Sequence, residues 1–420
     1  MGKLVDGLTA RTGSAARFGV YVSILTAAYY YNITFVQLGV TGAGEERLGL
    51  SMELVAVAMG LLAVATLTTT LVSGYLMDRL GWGRDMQVKF RVLFGVLFLQ
   101  TGVTYLFGSV SSFPQFLGWV LACSVLLGTA IPFAFSLLLD LVVPAQRGYA
   151  AGAVAACAFA LAALVPFEWA VGNFTLPAVV VLTPIVVLLG LFSFAPGILG
   201  RVERRRGDGS GGRTATDRGF RVLTAPVAVG LALLFGAFFV DSLGFVRIIE
   251  TSALVDAAWR SPDYGVRVTL SATHVVGGLV AGLLYARARY LWLFAATFAL
   301  FAAAQLLFAC QLLFDVPSIL GTAVPLVYVL AVSCYTTVTF ALWPDLATPE
   351  TVGRYTAVGV GVGGWLATFT STALALLSDR LELAVEHHLL GVGVVSLLFL
   401  FLTLSLWSLT PDVVHDLPGA

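Results

Sequence analysis

The sequence predicts an all-α polytopic membrane protein whose twelve transmembrane helices form two pseudo-symmetric six-helix bundles, and three observations carry that prediction. The first is an apolar excess: 59% of 420 residues is about 248 apolar side chains, well above the roughly 45–50% of soluble domains. Only 11% of the chain is charged, against the usual ~25%. Dividing the apolar count by the ~20 residues that cross about 30 Å of hydrocarbon gives about twelve spans. The second is the even spacing of charged and turn-rich breaks, and the third is a repeat at half the chain length.

Taken in order, the apolar windows are 18–40, 52–77, 90–108, 115–139, 148–172 and 176–198, then 222–249, 267–286, 290–314, 319–343, 355–377 and 389–409. The stretch to Arg17 lacks the short apolar core and small-residue cleavage site of a secretory signal, so the first window is expected to be a membrane span. With the N-terminus inside, 18 of the 23 Lys and Arg residues fall on the cytoplasmic side, and Arg47, Arg247, Arg260, Arg267 and Arg380 fall outside. Inverting the topology would invert that bias, so both termini are expected in the cytoplasm and the cell membrane is the expected location. The longest polar break, Arg201 to Arg221, is rich in Arg, Gly and Ser and reads as a flexible cytoplasmic linker between bundles 1–200 and 222–420.

A formal net charge of 0 argues against nucleic acid as a partner. Cys123, Cys157, Cys310 and Cys334 lie in apolar windows with no C-x-x-C spacing, which gives neither a disulfide framework nor a zinc site. Gly359-Val-Gly361-Val-Gly363-Gly364 fits G-x-G-x-x-G but follows no strand, so it is not read as a nucleotide site. No Walker motif, H-E-x-x-H or G-x-S-x-G is visible, and neither an enzyme nor a cofactor is expected.

The repeat is carried by three pairs of segments. Asp140-Leu-Val-Val-Pro144, with Tyr149 and Gly152 after it, matches Asp345-Leu-Ala-Thr-Pro349, with Tyr355 and Gly359. Gly74-Tyr-Leu76-Met-Asp78-Arg79 matches Gly282-Leu-Leu284-Tyr-Ala286-Arg287 at an offset of 208. Tyr31-Asn32 and Phe35-Val36-Gln37 match Val240-Asp241 and Phe245-Val246-Arg247 at offsets of 209 to 210. Two halves in the same orientation are parallel repeats about an axis along the membrane normal.

With Gly74, Asp78, Arg79, Gly81 and Arg84 standing as G-Y-L-M-D-R-L-G-W-G-R between the second and third helices, the chain resembles the major facilitator superfamily, whose signature there is G-x-x-x-D-R-x-G-R. Two departures stand out: Trp82-Gly83 separates Gly81 from Arg84, and the second copy has Ala286 in place of the acid. The resemblance implies alternating access, with a gate in which Asp78 meets the start of the eleventh helix on the cytoplasmic side. Its second-half counterparts would be Arg287, Asp345 and Arg354. Physically, Gly81 permits a tight turn, and a carboxylate beside a helix N-terminus accepts the free N–H groups there. The fourth helix has no Arg for the R-x-x-x-G element of proton coupling, and Val165-Pro166-Phe167-Glu168 replaces the G-P-x-x-G-G of drug antiporters.

In this fold helices 1, 4, 7 and 10 are expected to line a central cavity, where polar side chains are tolerated if they face water, one another or a ligand. Helix 1 offers Tyr29, Tyr30, Tyr31, Asn32, Thr34 and Gln37, helix 7 offers Asp241 and Arg247, and helix 10 offers Tyr335 and Thr336. Asp241 leads, because a carboxylate deep in a helix costs ~2.5–3.5 kcal/mol on insertion scales unless it is paired or hydrated. It is a candidate proton carrier, cation ligand or substrate acceptor, or else a structural acid bonded to Asn32 or a tyrosine hydroxyl. Arg247 lies about 120° around the helix from Asp241 and is expected either to pair with Glu250 or to bind an anion. Glu168 in helix 5 and His274 in helix 8 are lone titratable groups. Gly148 with Gly152, Gly278 with Gly282 and Gly359 with Gly363 have the spacing that lets helices approach closely along a moving seam.

The expected function is secondary transport of a small solute by a monomer in the bilayer, with a proton or sodium ion as candidate coupling ion. The rival is a transport-fold sensor, receptor or assembly factor without net flux.

Overall fold

A computed structural model of the chain describes residues 2–195, 225–251, 254, 261–287, 290–314 and 319–409. The linker 201–221 and Arg260 lie outside the described residues, as does the side chain of Glu250 with its expected pairing to Arg247.

The described residues form helices and no strand, and helices α1 to α12 correspond one for one to the twelve apolar windows. The first half holds α1 (Gly2–Thr34), α2 (Met52–Arg79), α3 (Met86–Tyr105), α4 (Phe113–Leu141), α5 (Arg147–Leu164) and α6 (Thr175–Phe194). The second half holds α7 (Ala225–Glu250), α8 (Tyr264–Arg287), α9 (Tyr290–Phe314), α10 (Ile319–Leu346), α11 (Val352–Val360 and Ala367–Arg380) and α12 (Val385–Leu409). Eleven of them, α2 to α12, contain described stretches long and apolar enough to cross a membrane. The twelfth, α1, is diluted by Tyr29, Tyr30, Tyr31 and Asn32. The protein is therefore an integral membrane protein of twelve spans in two six-helix halves.

Two helices change pitch. From Phe35 to Arg47 the chain continues α1 as a π-helix, and Gly361–Leu366 forms a π-helical turn inside α11. Such widened turns are uncommon and cluster at functional sites.

The ends of the elements follow local chemistry. Gly81 adopts a left-handed conformation (φ 69°), which turns the chain out of α2. Asp85 then caps α3 by accepting hydrogen bonds from the backbone N–H groups of Gln87 (2.9 Å) and Val88 (3.1 Å). The third helix therefore starts at Met86, four residues before the sequence expectation, and carries Lys89 into the protein. The fifth ends at Leu164 instead of 172, because Val165 precedes Pro166 and takes an extended conformation (φ −131°, ψ 119°). Glu168 consequently lies exposed in the connection to α6 and not within a helix.

One end of the bundle carries the loops after α2, α4 and α10 and the last turns of α6 and α8; it is called the linker end below, and the other the far end. The α5/α8 seam between the halves is built on glycine. A Cβ on Gly148 would stand 2.8 Å from the Gly282 carbonyl oxygen, and one on Gly152 would stand 2.8 Å from the Gly282 Cα. The pair Gly359 and Gly363 behaves differently from the sequence expectation: Gly359 packs under Trp343 of α10 and Gly363 against Leu234 of α7, both within the second half. The α2/α11 seam is made instead by Gly74 against Gly353 and Ala357.

Candidate functional site

A cavity of about 260 Å³ lies between the halves, lined by side chains of α1, α2, α4, α5, α7, α10 and α11. Its linker-end limit is aromatic. Phe135 of α4 stacks on Phe340 of α10 at 5.3 Å, and Tyr29 of α1 meets Phe340 edge-on at 5.0 Å. From that floor the lining climbs toward the far end, through Asn32 to Gln37 on α1 and through Asp241 to Phe245 on α7.

Among the described residues Asp241 is the one charged side chain in the lining. It is held by α10: the Tyr335 hydroxyl donates to Oδ2 at 2.5 Å, and the Tyr328 hydroxyl donates to Oδ1 and lies 3.0 Å from the Asp241 backbone oxygen. Tyr328 and Tyr335 are seven residues apart, two helical turns, so both present a hydroxyl to the same stripe. Asn32, which the repeat pairs with Asp241, lines the cavity from α1, as does Gln37. The Asn32 Oδ1 and Gln37 Oε1 oxygens are buried without a hydrogen-bond partner.

The structure brings Asp241, Asn32, Gln37, Tyr335 and Thr336 to one cavity and takes two predicted site residues away from it. Tyr31 faces α3 and α4, where its hydroxyl accepts from Gln100 Nε2 at 2.6 Å and lies 2.8 Å from Thr104 Oγ1. Its neighbour Tyr29 takes the cavity face, with Asn32 three residues on. Arg247 is buried, and its Nη2 donates to the Leu383 carbonyl at 3.3 Å, securing the loop between α11 and α12. Tyr29 stood among the helix 1 candidates, whereas Tyr328 is the partner of Asp241 that the reading by single polar positions missed; its seven-residue spacing from Tyr335 along a helix is the signal that points to it.

The gating residues gather at the linker end. Asp78, with 1% of its side chain exposed, accepts from the backbone N–H groups of Gly353 (2.8 Å) and Arg354 (2.9 Å) and from Arg354 Nε (2.8 Å). The expected contact between this carboxylate and the first turn of α11 is thus present. Arg84 Nε donates to Glu350 at 2.6 Å. Arg147, at the start of α5, donates to Asp345 Oδ1 at 2.7 Å, and Tyr285 donates to the other carboxylate oxygen at 3.0 Å. The Asp78, Arg84 and Arg147 contacts cross between the halves, while Tyr285 supports Asp345 from within the second half. Arg79 instead lies exposed over the Tyr75 ring, and Arg287 is exposed at the end of α8.

The two D-L-x-x-P copies have parted ways. Asp345 reaches across to the first half, whereas Asp140 stays within its own half and accepts from Lys89 Nζ at 2.6 Å, with 2% and 0% of the two side chains exposed. Lys89 is therefore not a solvated loop charge. Its position by sequence resembled one because the start of α3 is fixed by the Asp85 cap.

At the far end the seams are tied differently. Arg267 of α8 donates to the Pro166 carbonyl at 3.1 Å and to that of Phe167, and Arg380 pairs with Glu53 at 2.6 Å, both exposed. His274 lies between the halves, with Nδ1 2.9 Å from Ser333 Oγ and its ring stacked on Phe159 at 4.1 Å. Among the described residues no group of three His, Cys, Asp or Glu side chains is placed to hold a metal ion.

A twelve-helix bundle in two halves, with a central cavity and ion pairs across one end, is the fold of the major facilitator superfamily. The proton:xylose symporter XylE of that superfamily, solved with bound 6-bromo-6-deoxy-D-glucose, superimposes with a TM-score of 0.65 at 13% identity over 97% of this chain and 98% of its own. No family model and no curated protein sequence matches the chain.

Proposed function

We propose that the chain is a secondary active transporter that moves a small solute across the cell membrane by alternating access, coupled to a proton or sodium gradient. The observation that carries this reading is a polar-centred cavity between two bundles, tied at the linker end by Asp78, Arg84, Arg147 and their partners and at the far end by a different set, Arg267 and Arg380. In this reading the linker end faces the cytoplasm, in keeping with the 18 to 5 distribution of basic residues. The bundles 1–200 and 222–420 rock about the α5/α8 and α2/α11 seams, in a monomer. The fold shared with a solved symporter supports transport as the use of the cavity.

Asp241 is the coupling or solute-binding acid of this cycle, with Tyr335, Asn32, Gln37 and Thr336 around it. The test is purified protein in liposomes. Asp241→Asn imitates a permanently protonated acid, so a coupling role predicts that gradient-driven accumulation fails while counterflow persists, and a binding role predicts that both fail. Normal accumulation by the Asn variant with an unchanged gradient dependence would sink both roles. Specific binding without flux by the wild type would support a sensor instead.

A further inference from the structure

Resting on the transport reading above, we infer that the solute is an amphipathic organic cation: an amine whose ammonium group docks at Asp241 and whose apolar body fills the aromatic chamber. Charge comes first. Among the described residues the cavity lining contains a carboxylate and no Lys, Arg or His. In a site of low dielectric, a charge without a counter-charge on its ligand is costly, and an anionic ligand would add repulsion. A carboxylate has about four lone-pair sites. The hydroxyls of Tyr328 and Tyr335 occupy one on each oxygen, which leaves acceptor capacity for an N–H donor. The amides of Asn32 and Gln37 line the same chamber and carry further acceptor capacity.

Ring surface comes second. Tyr29, Phe238, Phe245, Tyr335, Phe340 and Trp365 line the chamber from α1, α7, α10 and α11, and a cation against such faces is attracted by the negative face of the rings. Two of the hydroxyls in the lining are engaged within the protein. Ser242 is bonded to Thr368 (3.3 Å), and the Thr339 hydroxyl donates to the Tyr335 carbonyl (2.9 Å).

The third observation is independent of the chamber's charge. A smaller cavity of about 60 Å³ between α2 and α11, lined by apolar side chains such as Ala56, Ala63 and Leu376, shares Met59, Trp365 and Thr368 with the main one. Phe369, 38% exposed, belongs to its wall. An apolar side chamber that shares wall residues with the main one, beside the bundle surface, suits a solute that partitions into lipid better than a strictly hydrophilic one.

The test is equilibrium binding to the purified full-length protein by calorimetry, with three probes of similar shape: 2-phenylethylammonium, 2-phenylethanol and phenylacetate. The cation should bind about tenfold or more tightly than the alcohol, the carboxylate should not compete, and Asp241→Asn should bring cation and alcohol within about twofold. Asp241→Glu should keep the preference, which separates a lost charge from a misfolded variant. Equal binding of cation and alcohol, preferential binding of phenylacetate, or no saturable binding of the amine overturns the inference. A parallel counterflow assay keeps the two readings apart. Flux of a solute that is not a cation overturns the substrate class and leaves transport standing, while selective amine binding by a protein that carries nothing supports the site chemistry and removes transport.

Discussion

Asp78→Asn is the sharpest perturbation of the cycle, because one carboxylate takes three hydrogen bonds from the opposite half. Gly353 N, Arg354 N and Arg354 Nε lie 2.8, 2.9 and 2.8 Å from its oxygens. Hydrogen bonds to a charged group are worth about 1.5–3 kcal/mol each. Asparagine keeps one acceptor oxygen, loses the charge that favours a helix N-terminus, and turns an N–H toward a donor. The net loss is about 2–4 kcal/mol, and since about 1.4 kcal/mol is a factor of ten, the closed linker end loses roughly 30- to 1000-fold in population against the open one. A wild-type ratio of 99:1 would fall to roughly 3:1 or lower. The assay is a pulsed electron–electron distance measurement between spin labels at Leu80 and Arg287, one in each half and both exposed, in a background without the native cysteines. A longer-distance population should grow in the Asn variant while solute flux falls. Superimposable distance distributions at equal yield would refute the assignment of Asp78 as a state-specific latch.

Three further outcomes follow from the geometry. Lys89→Met leaves Asp140 buried without its 2.6 Å partner and should cost about 3–5 kcal/mol; the double variant Lys89→Met/Asp140→Leu should melt nearer the wild type, and failure of that recovery would show that the pair itself holds the half together. Gly152→Ala forces a Cβ to 2.8 Å from Gly282 Cα and should lower the melting temperature by an amount equivalent to about 1–3 kcal/mol, whereas Gly95→Ala, with nothing within 4 Å, should be neutral or gain up to about 1 kcal/mol. In the loop between α10 and α11, partial burial pushes the Glu350 carboxyl up, but hydrogen bonds from Thr348 and Arg84 outweigh it and hold the group below the usual glutamate range. A carboxyl lowered in the folded state contributes above its ordinary value and loses that contribution as pH falls through the lowered one. Acidification below the ordinary glutamate range should therefore open the linker end in the wild type, and a smaller acid response in Glu350→Gln, read by the same distance measurement, is the expected signature.

The helix count and the division into halves were legible because hydrocarbon thickness leaves one solution to an apolar chain with regular breaks. That Asp78 could meet a helix N-terminus was legible from the Gly81 turn, and that this helix is α11 was what the family resemblance implied. Asp241 stood out by the cost of placing a carboxylate in a span. What stayed hidden depends on rotation about helix axes and on where caps fall. Tyr29, Tyr30 and Tyr31 are equivalent as letters, and 100° steps send one to the cavity and another to Gln100. Tyr328 became a partner of Asp241 only through its two-turn spacing from Tyr335. Lys89 looked like a loop cation until the Asp85 cap brought it into α3, and Glu168 left its helix because Pro166 cannot extend one.

The glycine contacts of α5 and α8 have an evolutionary side. At Gly148, Gly152, Gly278 and Gly282 the atoms that an added methyl would strike include backbone nitrogen, oxygen or Cα of the facing helix. Side-chain collisions can be relieved by trimming the partner, but no substitution trims a backbone. These positions are expected to drift neither singly nor in compensating pairs, so this stripe of the chain should be the slowest to change even as the chamber beside it is refitted to other cargo.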